Sequence, residues 1–171
     1  MLRATALIFL CLSYSLCSLG QQKSVQAAKI KTAPRIDGIL DDEEWSSAPA
    51  AGTFITSSPS FGLPATDSTC VKVLYDNTAI YIGAYLYGNP AHIRRQFTPR
   101  DQERHADVDY FSVFIDSYKD RQNAFQFLVT SRNVQSDARI SPAVIPEDGV
   151  FGDLSWDAVW DSKVSMRPDG W

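Results

Sequence analysis

Alternation of apolar and polar positions is the strongest pattern in this chain, and its clearest run is Asp109-Tyr110-Phe111-Ser112-Val113-Phe114-Ile115-Asp116. A period of two puts Phe111, Val113 and Ile115 on one face of a strand and Tyr110, Ser112 and Phe114 on the other. Apolar side chains on both faces predict a central strand, covered above and below. Thr69 to Tyr75 alternates in the same way, Asp76-Asn77-Thr78 turns the chain, and Ala79 to Tyr87 alternates again. Two such runs about a short polar turn predict a β-hairpin, with Ile80, Ile82, Ala84 and Leu86 inward and Tyr81, Tyr85 and Tyr87 on the opposite face. Further strands are predicted over 124–132 and 134–140, paired across Ser131-Arg132-Asn133. Another is predicted over 156–167, where Trp156, Ala158, Trp160 and Val164 share a face. Ala27 to Thr32 reads as a short edge strand closed by Pro34, and Phe54-Ile55 as a shorter one.

Helical signals are brief. Asp41, with Glu44 three residues on, reads as a capping box over one helical turn near residues 41–47, which places Trp45 on the inner side as a core anchor. Ala91 to Gln96 suggests one more turn. Gly88 to Val108 and Ser141 to Ser155 are long polar connections. Strands at regular spacing, turn signals between them and no long helical period predict an all-β, antiparallel β-sandwich.

The first twenty residues depart from this pattern. Arg3 gives a positive start, Ala6 to Leu12 is apolar, and small residues lead to Ser18-Leu19-Gly20. This is the form of a secretory signal peptide over residues 1–20, cleaved after Gly20, with a polar spacer over 21–28 and the domain over 29–171. Cys11 and Cys17 would leave with the leader, so Cys70 is the one thiol of the mature chain and no internal disulfide is expected. The net charge of −4 over the whole chain becomes −5 once Arg3 is removed. An acidic exported chain offers no footprint for nucleic acid. Its location is expected to be periplasm, outer membrane or extracellular space. Arg167-Pro168-Asp169-Gly170 reads as a turn and Trp171 as the opening of a further strand, so more chain is expected beyond it.

Taken in order, Ile36-Asp37-Gly38-Ile39-Leu40-Asp41, Trp45, Val71-Lys72-Val73-Leu74-Tyr75-Asp76, Ile80-Tyr81-Ile82 and Asp109 with Val113-Phe114-Ile115-Asp116 resemble carbohydrate-binding module family 9. Phe97-Thr98-Pro99-Arg100-Asp101 and Ser155-Trp156-Asp157-Ala158-Val159-Trp160 resemble a branch in which the module precedes an outer-membrane barrel. The resemblance implies a jelly-roll-like sandwich that binds carbohydrate, in a larger envelope protein concerned with glycan capture or breakdown. Sugar-binding members hold a terminal sugar between two tryptophans; the position of the first is Ala106 here, and that of the second lies past Trp171.

Sugars are held by aromatic faces and by carboxylate, amide and Arg groups that bond hydroxyls. The ligand-binding candidates are therefore Trp156, Arg100, Asp101, Asp107 and Tyr85. Trp160 reads as core, and the tyrosine face reads also as sheet packing. Arg100-Asp101 with Asp107 and Asp109 form one charged cluster, either a recognition site or a network pinning a long loop. Asp107, Asp109, Glu147, Asp148 and Asp153 offer oxygen atoms to calcium, but no Asp-x-Asp-x-Asp-Gly loop is present, so no cofactor is assigned. With no nucleophile motif beside His92 or His105 and no phosphate loop, the chain reads as non-catalytic. The alternative reading is a structural or protein-interaction domain that keeps the fold without binding sugar.

Overall fold

The computed structural model describes residues 23–143 and 152–171. The leader assigned to 1–20, the start of the spacer and the two loop carboxylates Glu147 and Asp148 lie outside the described residues. Within them the fold is all-β, in two three-stranded sheets. The first holds β1 (Ala28–Lys29), β2 (Thr69–Tyr75) and β3 (Ile80–Leu86) in that order; β1 lies parallel to β2, and β2 antiparallel to β3. The second holds β4 (Tyr110–Ile115), β5 (Ala124–Thr130) and β6 (Gln135–Ile140), all antiparallel.

The β2–β3 turn is fixed by one carboxylate. Asp76 Oδ1 accepts from the backbone N–H and hydroxyl of Thr78 and from the N–H of Ala79, at 2.6, 2.7 and 2.8 Å, while Oδ2 accepts from the Tyr81 hydroxyl at 2.9 Å. These bonds to the charged form, led by those from Thr78, hold the Asp76 carboxyl far below the usual range.

Trp45 is buried on a short 3-10 turn, Glu43–Ser47, and packs with Ile30, Ala48 and Leu74. The predicted capping box does not form. Asp42 precedes the turn without a side-chain cap, and Asp41 and Asp42 both turn to Arg35, at 2.8 and 2.9 Å. A guanidinium within reach of two carboxylates offers stronger donors than backbone amides do.

Two strand expectations are corrected and a third is refined. The run 110–115 is an edge strand rather than the central one, and Tyr110 and Phe114 are each 51% exposed on its outer face. The centre belongs to β5, because tight connections fold both β4 and β6 onto it. Residues 156–166 carry no sheet ladder; side chains hold them instead. On β3, Ile82, Ala84 and Leu86 line the apolar cavity shared with the second sheet, as expected, but the tyrosine side is covered too: a Cβ on Gly83 would lie 2.9 Å from the Trp45 ring, and Tyr81 packs against the same cluster. Ile80, expected inward, is 57% exposed. Phe54-Ile55 contributes one bridge, Ile55 to Pro64, and the turn expected over 91–96 is Pro90–His92. Cys70 is half-buried with a free thiol.

Trp171 is buried and exchanges two backbone hydrogen bonds with Leu86, 3.0 and 2.8 Å, on the edge of β3 away from β2. Ile82 and Ala84 of β3, Phe111 and Val113 of β4, Phe127 and Val129 of β5 and the Trp160 ring line one apolar cavity of about 260 Å³.

Gly83→Ala should lower stability by about 1–3 kcal/mol by forcing a methyl against the Trp45 ring, read as a lower urea midpoint with unchanged slope. The depressed Asp76 carboxyl contributes stability above its unfolded value of about 4, and that contribution is lost as pH falls from there toward the folded value. Thermal melts of Asp76→Asn should therefore lie below those of the parent at neutral pH, with the gap closing in acid. A gap that stays constant down to acid pH would contradict this origin.

Candidate functional site

The sequence-predicted site residues do not converge on one place. Arg100 and Asp101 meet β6; Asp107 pairs with Arg94; Tyr85 lies on β3; Trp156 packs on β5. No hydrogen bond or ion pair among the described residues joins Arg100 or Asp101 to Asp107 or Asp109. The charged cluster read from the loop is thus two clusters.

The first is organised by a residue that the sequence reading passed over. Asp137 lies within β6, and its side chain is completely buried. Its Oδ2 accepts from Arg100 Nη2 at 2.7 Å, from the Trp160 indole N–H at 2.8 Å and from the Ala158 backbone N–H at 3.2 Å. Asp101, in the left-handed region at φ 61°, turns its carboxylate back to accept from the Asp137 backbone N–H at 3.2 Å. Arg100 also donates to Gln135 at 3.2 Å and lies 3.5 Å from both Asp101 and Asp157. Burial alone would lower the Arg100 guanidinium, but the bond and charge of Asp137, with Asp101 and Asp157, hold it raised above its ordinary value. Gln135 completes the frame by donating to the Trp160 carbonyl at 3.0 Å and to Ser162 Oγ at 3.1 Å.

This frame sets the wall of an open concavity of about 660 Å³ lined by Phe97, Arg100, Arg132, Asn133, Gln135, Trp160, Asp161, Ser162 and Lys163. The Phe97 ring is 75% exposed beside these polar groups. Trp160 is half-buried, edge-on to Phe127 with ring centres 5.4 Å apart. Ser162 donates to Asn133 Oδ1 at 3.0 Å, and Arg132 Nε donates to the Arg95 carbonyl at 2.9 Å.

Trp156 plays another part than expected. Its ring lies 4.6 Å from that of Phe125 and 6.0 Å from that of Phe127, so it packs on β5. Tyr85 stacks at 4.4 Å on Tyr87, and its hydroxyl donates to Asp169, a bond that raises the phenol above its ordinary value. The second charged cluster joins Arg94 to Asp109 at 2.7 Å and to Asp107 at 3.5 Å, pinning the loop before β4. It borders a separate concavity of about 430 Å³ with Tyr87, Asn89, His92 and Tyr110. Asp153 pairs with Arg139 at 3.2 Å and accepts from Ser155, whose bonds hold its carboxyl below the usual range. Among the described residues no group of three or more His, Cys, Asp or Glu side chains is gathered for a metal ion.

Phe97, Asn133, Ser162 and Asp137 are residues of this site that the sequence reading did not single out for it. A lone Asp flanked by buried positions in a predicted strand was a usable signal for Asp137, because an unpaired carboxylate there would be too costly. Phe97 stood out only as part of the run Phe97-Thr98-Pro99-Arg100-Asp101, which marked no binding role for its ring.

Asp137→Ala should cost about 2–3 kcal/mol, the scale of lost hydrogen bonds to a charged acceptor, since Arg100 can still reach water. Chemical denaturation measures the loss, and near-ultraviolet dichroism should show a freed Trp160 indole.

No family model matches the chain, and no curated protein or solved structure matches it either.

Proposed function

We propose that this chain is a non-catalytic carbohydrate-binding module of an exported envelope protein, built as a jelly-roll-like β-sandwich of the kind that carbohydrate-binding module family 9 represents. The observation that carries the reading is the Phe97 ring, exposed in a concavity beside amide, hydroxyl and cationic side chains. A sugar presents C–H faces and a rim of hydroxyls, and an exposed ring among hydrogen-bonding groups suits both. The residues in recognition roles are Phe97 for stacking and Asn133, Ser162 and Arg100 for hydroxyls. Asp101 positions Arg100 and the loop. Trp156, Tyr85 and Asp107, included in the sequence-based set, have structural partners and take no direct part in this site. Neither of the two histidines lines it.

A second reading, a protein-interaction domain, is favoured by one other feature. The loop closed by the Ile55–Pro64 bridge carries Phe54, Ile55, Phe61 and Leu63 exposed on its surface. Clustered apolar side chains of this kind mark contact surfaces.

Calorimetric titration of the chain with a panel of plant and bacterial oligosaccharides separates the readings. A saccharide should bind, and Phe97→Ala should weaken it about tenfold while leaving the melting temperature unchanged. Phe61→Ser should leave sugar binding intact. Absence of binding across the panel, or full binding by Phe97→Ala, would remove the sugar site proposed at this concavity.

A further inference from the structure

The cations around the Phe97 concavity differ in how far their charge is answered. Arg100 is committed to buried Asp137, with Asp101 and Asp157 close by. Arg132 and Lys163 are exposed, line the same concavity and have no ion-pair partner among the described residues. Asp161 lines it too but makes no ion pair with either. Arg132 spends its Nε–H on the Arg95 carbonyl, which anchors the guanidinium and leaves its terminal N–H groups for another acceptor. The Asn133 side-chain oxygen is taken by Ser162, which leaves the amide N–H₂ as a donor. The groups not already engaged here are therefore mostly donors, two of them cationic. The chain as a whole is acidic, at −4. Two cations without partners on one rim, beside an exposed ring, select for a ligand with one apolar face and an anionic edge.

We infer that the concavity takes an acidic saccharide, its pyranose face on Phe97 and its carboxylate on Arg132 and Lys163. Planar guanidinium suits a carboxylate through paired N–H bonds, and the lysine adds a second charge from the facing segment. This assignment rests on the carbohydrate reading above and names its ligand class.

The test uses matched neutral and acidic probes, galacturonic acid oligomers against galactose oligomers of equal length, titrated calorimetrically into the purified chain. The acidic probe should bind about tenfold more tightly, the equivalent of one good charge-assisted contact, and the preference should shrink as salt rises. The pair Arg132→Gln with Lys163→Gln should bring the two probes to within about twofold of one another, with neutral binding unchanged. Equal affinity for both probes in the parent chain, or a preference that survives the double substitution, overturns the acidic assignment and leaves the carbohydrate reading standing. Failure of both probes, alongside failure of the wider panel, overturns both. Since both positions are exposed, an unchanged melting temperature certifies the variant; should it fail to fold, the comparison of probes on the parent chain decides alone.

Discussion

A wholly buried carboxylate must be paired, and in this fold the pairing of Asp137 determines where two segments without sheet structure lie. Its donors come from Arg100, in the loop before β4, and from Ala158 and Trp160, in the segment after β6. Neither segment is held along its length by a ladder. Each is drawn to β6 because leaving any of these groups unpaired would cost more than ordering the chain that carries it. The concavity beside Phe97 is bounded by these same two segments. The site is thus a consequence of one charge placed inside a strand, and its shape follows from what that charge demands.

Much of the fold was legible because period-two alternation is a local property. β2, β3, β5 and β6 fall where the alternation put them, and Asp76 turns the hairpin as its place in the sequence suggests. What alternation does not carry is neighbour identity. Tyr110 and Phe114 look like core residues because they are aromatic, yet they face outward at a sheet edge, while Gln126 of β5 is buried and bonded to Ser112. The tryptophan alternation over 156–160 is real, but Asp137 and Gln135 side chains supply the partners of this segment, so no strand results. On β3 the deciding feature was an absence of side chain. Gly83 leaves room for the Trp45 ring, so a buried cluster forms on the tyrosine side as well, while the aliphatic side meets the second sheet across the apolar cavity.

The site was less legible for the same reason. Arg100 and Asp101 stood out because charged residues in a loop are conspicuous, but the partner that explains them sits in another strand and looks like a fault in its pattern. Size misled the choice of aromatic: Trp156 is the larger ring, yet Phe125 and Phe127 occupy it, whereas Phe97 has little against it. Arg132 and Lys163 belong to a turn and a ladderless segment, and only the Asp137 frame brings them to one rim. Sites assembled by long-range pairing leave little trace in the local sequence.

Ile36, Trp160 and residues 161–163 border both the apolar cavity and the polar concavity, so one thin wall divides the two. Its position is fixed on one side by Phe127 against the indole and on the other by Gln135 bonding the Trp160 carbonyl and Ser162. A wall fixed by packing and hydrogen bonds at once has little freedom left to lose, and binding against it costs correspondingly less ordering than binding to a loop. The two cations divide the same way. Arg132 is anchored through Nε to the Arg95 carbonyl and presents a fixed edge, while Lys163 has no such bond among the described residues. Geometry at this rim should therefore come from Arg132 and the wall, with Lys163 supplying charge that adapts to where the ligand places its own.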